Sequence, residues 1–150
     1  MARTIREEID IAAPPARVFA CLTSPRELLQ WWTTVDCPST HWEFDARPGG
    51  RWLSRWRMPD GHEFELGGEI VDIRPPELIE LTWRDERYPN LPVTRVRYEL
   101  IAIPGGCRLR LLHHGFDDTR PDFDDYNGGW PGVFGKLRAH VSGIDVVAQR

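Results

Sequence analysis

The sequence lacks the features that mark several large classes of protein. It has three cysteines in 150 residues, Cys21, Cys37 and Cys107, and none of them forms a CxxC pair. This disfavours a disulfide framework and a zinc ribbon, so we expect reduced thiols. It has no apolar run near the roughly 20 residues that cross a bilayer, and its charged N-terminus lacks the apolar segment of a secretory signal. We therefore expect a cytoplasmic protein with no membrane span.

The chain also lacks an excess of positive charge. Its formal net charge is −4 and its pI is about 5.7, the wrong sign for attraction to a phosphate backbone. We therefore expect no nucleic-acid partner. The composition is 41% hydrophobic and 28% charged, which is ordinary for a globular protein. At this length we expect one domain over residues 1–150 with a substantial core, and a homodimer is compatible with the sequence.

Motifs for metal binding and nucleophilic catalysis are missing as well. His113 and His114 are neighbours on a predicted strand and so face opposite sides, and no HxH or HExxH spacing occurs. The acidic residues between 117 and 125 lack the ordered calcium loop and are explained by the start of a helix. Cys21 and Cys107 are expected to be small buried hydrophobes with no base beside them. We predict no metal, no cofactor and no catalytic nucleophile.

Tryptophan, in contrast, is abundant. Six of the seven tryptophans lie between Trp31 and Trp83, spread over strand-like segments. Each indole presents a large rigid apolar surface that must be buried or used to hold something. We interpret this concentration as the wall of a ligand cavity, not as a reaction centre.

Alternating polarity predicts a first strand and then two short helices. Ile5, Ile9 and Ile11 share one parity, and charged residues occupy the other. Pro14-Pro15 ends this strand and opens one helix, and Ser24-Pro25 opens a second that ends near Trp31-Trp32.

Turn residues divide the region from His41 onward into six more strands. Glycine- and proline-rich turns recur at the spacing of an antiparallel meander. One face of these strands is aromatic or aliphatic, and the other carries arginines interleaved with glutamates, which predicts a salt-bridged outer surface. Gly67-Gly68 lies inside the fourth strand and predicts a bulge or bend, so we expect a strongly curved sheet.

The last segment has helical spacing. Its apolar residues are three or four apart and form one stripe: Phe123, Tyr126, Trp130, Val133, Phe134, Leu137, Val141 and Ile144. Gly128-Gly129 and Pro131 predict a kink or a fresh start within this helix.

These elements predict an α+β fold in which a curved seven-stranded antiparallel sheet wraps around a long C-terminal helix. Such a sheet and helix touch best at their ends, so we expect a space between them that side chains or a ligand must fill. For Trp31 and Trp32 a place at the cavity mouth and plain packing stay open. The predicted ligand-cavity residues are Trp31, Trp52, Trp56, Phe64, Trp83, Tyr98, His113, Trp130, Phe134 and Leu137.

Five phrases occur in the order of a known family. They are IAAPPARVFACLTSPRELLQWW from Ile11, FDARPGGRW from Phe44, DGHEFELGGEIVDIRPPELIELTW from Asp60, HHGF from His113 and GGWPGVFGKLRAHV from Gly128. Together they cover most of the chain. The sequence resembles the activator of heat-shock-protein-ninety ATPase homologue type of the SRPBCC (START-like) superfamily.

The resemblance implies the helix-grip fold, with a ligand tunnel between the sheet and the C-terminal helix. It suggests a small-molecule-binding domain for an apolar or aromatic ligand such as a lipid or polyketide. A chaperone-partner or stress-response role is one alternative, although the eukaryotic activators carry a further N-terminal domain. A cyclase or hydrolase is another, and it would need an acid–base pair from Glu7, His113 and Asp72.

Overall fold

The structure is a computed structural model and describes residues 3–143. Seven strands and three helices follow one another along the chain. They are β1 (Arg3–Ile11), α1 (Pro15–Thr23), α2 (Pro25–Trp31), β2 (Ser39–Phe44), β3 (Arg51–Arg57), β4 (Glu63–Arg74), β5 (Leu78–Asp85), β6 (Thr94–Ile103), β7 (Gly106–Phe116) and α3 (Phe123–Val141). The predicted α+β order, with two short helices after strand one and a long C-terminal helix, is confirmed.

All seven strands form one antiparallel sheet in the order β1-β7-β6-β5-β4-β3-β2. The chain returns from β7 to pair with β1, so that Ile5 lies opposite His113 and Ile11 opposite Cys107. From β2 to β7 each strand pairs with its successor, as in a meander. This places the N-terminal strand beside the last one and β2 at the far edge.

Alternation along each strand decides which face is covered. In β3, Trp52, Ser54 and Trp56 are buried, whereas Arg51, Arg55 and Arg57 are exposed. The exposed face carries ion pairs between neighbouring strands, among them Arg55–Glu65 at 2.8 Å, Arg110–Glu8 at 2.7 Å and Arg108–Asp10 at 2.8 Å. The predicted salt-bridged outer surface is therefore present.

The two short helices begin as the sequence predicts. Pro15 and Pro25 each occupy the first turn of a helix, where a missing N–H costs nothing. The Ser24 hydroxyl caps α2 by accepting from the Glu27 amide at 3.4 Å. Trp31 and Trp32, at the C-terminal end of α2, lie against the covered face of the sheet.

The predicted fresh start within the last helix is not found. The helix is continuous from Phe123 to Val141 with Pro131 inside it. Proline in a helix interior costs about 3 kcal/mol, but burial of Trp130, Phe134 and Leu137 offsets this at about 1.5–3 kcal/mol for each large side chain. Ile144, the last residue of the predicted stripe, lies outside the described residues. No described helix is long and apolar enough to cross a membrane.

The predicted bulge at Gly67-Gly68 is displaced. The register of β4 against β5 shifts between Ile70 and Asp72, a few residues further on. The two glycines are required for another reason. A Cβ atom on Gly68 would lie 2.0 Å from the carbonyl oxygen of Thr82, and a Cβ atom on Gly67 would lie 2.9 Å from the carbonyl oxygen of Trp52. Close approach of neighbouring strands therefore explains this glycine pair.

Candidate functional site

Indoles fill most of the space between α3 and the sheet. Trp32 is at the centre, and its ring centroid lies 5.3 Å from that of Trp31, 5.4 Å from Trp42, 6.0 Å from Trp83 and 5.7 Å from Trp130. Separations of 4.5–7 Å with tilted planes are the favourable range for aromatic pairs. The tryptophans expected to wall a ligand cavity therefore pack largely against one another.

A small apolar cavity of about 160 Å³ remains beside this cluster. Its lining consists of Trp32, Trp56, Phe64, Leu66, Trp83, Tyr126, Gly129, Trp130 and Val133. The buried members form its floor, whereas Gly129 is exposed and Trp32, Tyr126 and Val133 are half-buried. The cavity is thus open to solvent on the side where α2 ends and α3 passes.

Four of the ten predicted cavity residues line this space: Trp56, Phe64, Trp83 and Trp130. The other six lie outside its lining. Trp31, Tyr98, His113, Phe134 and Leu137 are buried in the surrounding core, and Trp52 packs between Trp42 and Trp83. Of the two adjacent tryptophans, Trp31 is fully buried in packing and Trp32 reaches the cavity.

Most of the buried indole N–H groups have acceptors within the protein. Trp31 donates to the Cys21 carbonyl at 2.8 Å, Trp52 to the Thr82 carbonyl at 2.9 Å and Trp56 to the Ser54 hydroxyl at 2.9 Å. The Trp42 indole nitrogen is buried and has no partner among the described residues. Because the N–H groups of Trp56, Trp83 and Trp130 are occupied, these three rings offer the cavity mainly apolar surface.

His113 is the centre of a buried hydrogen-bond chain behind the cavity floor. Trp130 donates its indole N–H to Nδ1 at 3.1 Å, so Nδ1 carries no proton. Nε2 then bears the hydrogen and donates to the Thr94 hydroxyl at 2.7 Å, and this hydroxyl donates to the Trp83 carbonyl at 3.4 Å. Burial, with smaller effects from His114 and Arg120, lowers the pKa of His113 to about 3. The imidazole is neutral and holds Trp130 in place.

Tyr126 supplies the polar group nearest the cavity. Its hydroxyl donates to Asp85 at 2.5 Å and accepts from the Trp83 indole at 3.2 Å. Asp85 is also held by Arg87, whose Nη2 lies 2.7 Å away. Burial, followed by the nearby Asp85 carboxylate, raises the pKa of Tyr126, so the hydroxyl stays protonated at neutral pH. It offers a fixed hydroxyl at the edge of an apolar space.

Residues 12–142 match the model of a family whose description is "Activator of Hsp90 ATPase homolog 1-like protein". The chain belongs to this family. It accordingly has the helix-grip fold of the SRPBCC superfamily, with α3 packed on the seven-stranded sheet. No curated protein matches the chain in sequence.

Solved structures of bacterial proteins share the fold. A Chromobacterium violaceum protein is 27% identical, with a TM-score of 0.81 over 92% of this chain and 96% of that one. A Mycobacterium smegmatis protein is 24% identical, with a TM-score of 0.78 over 92% and 90%. An Arthrobacter aurescens protein reaches a TM-score of 0.83 at 19% identity, over 98% and 91%. The likeness extends along nearly all of the chain.

Several residues that line the cavity were not predicted from the sequence. Tyr126 and Val133 belong to the same helical stripe as Trp130, at four residues before it and three after it, so their spacing was a usable signal. Leu66 shares strand parity with Phe64. Gly129 could not be predicted in this way, because glycine has no side chain that would contribute to a hydrophobic pattern.

The expectation that no base lies beside Cys21 is wrong. Glu27 and His140 both approach this thiol, and one ligand atom from each of the three residues lies within 4.8 Å of the other two. The three residues come from α1, α2 and α3. Cys21 and Glu27 are six residues apart on consecutive helices, whereas His140 is 113 residues beyond Glu27, so the packing of α3 against α1 and α2 completes the group.

Proposed function

We propose that this protein binds a small apolar or aromatic molecule in the cavity between the sheet and α3. The observation that carries the proposal is an opening lined almost wholly by aromatic and aliphatic side chains, with Tyr126 at its edge. An apolar cavity of comparable size, about 150 Å³, stays dry and takes up benzene in another protein. A ring held here would contact Trp83 and Trp130 directly.

The volume limits the ligand. Sites for drug-sized molecules usually enclose about 300–1,000 Å³, whereas this cavity holds about 160 Å³. A single aromatic ring, or the end of a longer molecule whose remainder lies outside, is the size that fits. A whole lipid or polyketide would require Trp32, the half-buried residue at the centre of the indole cluster, to move away.

Burial sets the affinity. Removing about 200 Å² of ligand surface from water at roughly 25 cal/mol per Å² is worth on the order of 5 kcal/mol before the cost of association. Because the cost of association offsets part of this gain, we expect dissociation constants of about 1 mM or weaker for an unsubstituted ring. A hydrogen-bond donor placed to reach the Tyr126 hydroxyl would improve on this.

Glycines of α3 allow a matched test. A Cβ added to Gly129, which lines the cavity, or to Gly135, which does not, meets nothing within 4 Å. Gly129→Leu therefore covers the opening, and Gly135→Leu adds the same side chain elsewhere on the helix. In a titration with toluene followed by saturation-transfer NMR, we expect saturable binding to the native protein and to Gly135→Leu, but not to Gly129→Leu. Equal binding by all three proteins would refute the proposed site.

The enzyme alternative gains no support from the residues proposed for it. Glu7, His113 and Asp72 do not line the cavity. Both ring nitrogens of His113 are engaged, and Asp72 lies 3.1 Å from Arg74. The chaperone-partner alternative stays a prediction that stimulation of a chaperone ATPase would test.

A further inference from the structure

The three helices meet at a cluster of side chains on the side of α1 and α2. Cys21 of α1 is fully buried. Glu27 of α2 and His140 of α3 close the cluster toward solvent, with side-chain exposures of 22% and 13%. Among residues 3–143 this is the only group of three or more His, Cys, Asp or Glu side chains that could hold a metal ion.

We propose that Cys21, Glu27 and His140 form a binding site for a divalent transition-metal ion, best suited to Zn²⁺. A thiolate, an imidazole and a carboxylate are the ligand types that zinc uses. Three protein ligands would leave the fourth tetrahedral position to water on the exposed side of the cluster. The ion would join α1, α2 and α3 to one another.

The distances suit such an ion after a small adjustment. Ligand atoms around tetrahedral zinc lie about 3.3–3.6 Å apart, given bond lengths of about 2.0–2.3 Å. The three atoms here are within 4.8 Å of one another, and His140 Nε2 lies 2.6 Å from Glu27 Oε1. Binding would separate that pair by less than about 1 Å and draw the Cys21 sulfur inward by about 1 Å.

A neighbouring arginine orients the carboxylate. Arg17 Nη1 donates to Glu27 Oε2, and its Nη2 lies 3.3 Å from Oε1. This contact leaves Oε1 directed at His140, which is the arrangement an outer-shell partner gives to a metal-binding carboxylate. Arg17 therefore contacts both carboxylate oxygens of Glu27, and the ion would bind Oε1 on the side that now faces His140.

A catalytic thiol explains the cluster less well. Cys21 has no exposed surface through which a substrate could reach its sulfur. Burial, with a smaller effect from Glu27, raises the pKa of Cys21 to about 11, so the thiol is protonated and a poor nucleophile at neutral pH. A metal ion entering past Glu27 and His140 would displace the thiol proton, and any proton on the coordinating imidazole nitrogen, to solvent.

Cobalt substitution tests this site without any assay of activity. Metal-free protein is titrated with Co²⁺, and the ultraviolet and visible spectra are recorded. We expect one equivalent to bind, with a thiolate-to-cobalt charge-transfer band and the intense visible bands of four-coordinate cobalt. Saturation with Zn²⁺ at one hundred times its dissociation constant should raise Tm by about 5–10 °C.

Three variants separate this site from other thiols. Cys21→Ala should lose the charge-transfer band, and Cys107→Ala, which also replaces a buried cysteine, should keep it. His140→Gln changes a residue near the surface, so it tests the site even where Cys21→Ala fails to fold. It should weaken Co²⁺ binding at least about tenfold, the loss that even an outer-shell change causes. A folded native protein without the band, or a His140→Gln variant with native affinity, would overturn the proposal.

Discussion

Replacing His113 with glutamine should remove a specific part of the acid sensitivity of the fold. In the folded protein burial holds the pKa of His113 at about 3, against 6.5 for an exposed imidazole. Below pH 6.5 His113 therefore takes up a proton in the unfolded chain but stays neutral in the folded chain. Stability from this residue is complete above about pH 6.5 and is lost progressively as the pH falls toward 3.

The size of the effect follows from these two values. At pH 5 the unfolded histidine is almost fully protonated and the folded one is neutral. The difference of about 1.5 pH units below 6.5 corresponds to roughly 2 kcal/mol, at 1.36 kcal/mol per unit. His113→Gln removes this pH-dependent term. It also disturbs the contacts to Trp130 and Thr94, which lowers stability by about 1–3 kcal/mol at every pH.

Urea unfolding of both proteins at pH 7 and pH 5 separates these two effects. Other groups titrate in both proteins, so the quantity of interest is the change in the free-energy difference between them. We expect the native protein to lose about 2 kcal/mol more than His113→Gln between the two pH values. Equal losses would mean that His113 also takes up a proton in the folded state. This result would contradict the assignment of a neutral imidazole between Trp130 and Thr94.

Five further substitutions probe other parts of the structure. Asp122→Ala leaves the buried Arg120 without its carboxylate, so the free energy of unfolding measured by denaturant titration should fall by about 3–5 kcal/mol. Asp10→Asn, which changes an exposed pair with Arg108, should alter that free energy far less. Gly68→Ala should lower Tm because its Cβ would collide with a backbone oxygen, and Gly132→Ala, in open space on α3, should raise stability by about 0.5–1 kcal/mol. Trp32→Ala removes the central indole of the cluster, so this variant should bind naphthalene in saturation-transfer NMR. If the variant binds no ring larger than toluene, then Trp32 does not limit the size of the ligand.

The fold could be predicted because its signals are local. Alternation in β1 and β3, the prolines at the starts of α1 and α2, and the helical stripe of α3 each depend on residues only a few positions apart. The continuity of α3 could not be predicted, since the local penalty at Pro131 is outweighed by tertiary burial of Trp130 and Phe134. Gly68 likewise responds to a carbonyl on the next strand, which no periodicity reveals.

The candidate site was harder to predict because it depends on how far side chains fill a space. Composition predicted an indole-rich wall, but not that Trp32 would occupy the middle of it. Tyr126 bonds to Asp85 from 41 residues away, and His140 meets Glu27 across 113. Such contacts are set by the docking of α3 and leave no trace in local spacing.

Indole NMR tests the central claim most directly. Each of the seven tryptophans contributes one side-chain N–H signal in a ¹⁵N-labelled protein. On addition of toluene, the signals of the four cavity indoles should shift together and saturate, namely those of Trp32, Trp56, Trp83 and Trp130. The signal of Trp31, whose indole N–H is held in the core by the Cys21 carbonyl, should stay in place. Saturable shifts at none of the four cavity indoles would contradict a ligand site between the sheet and α3.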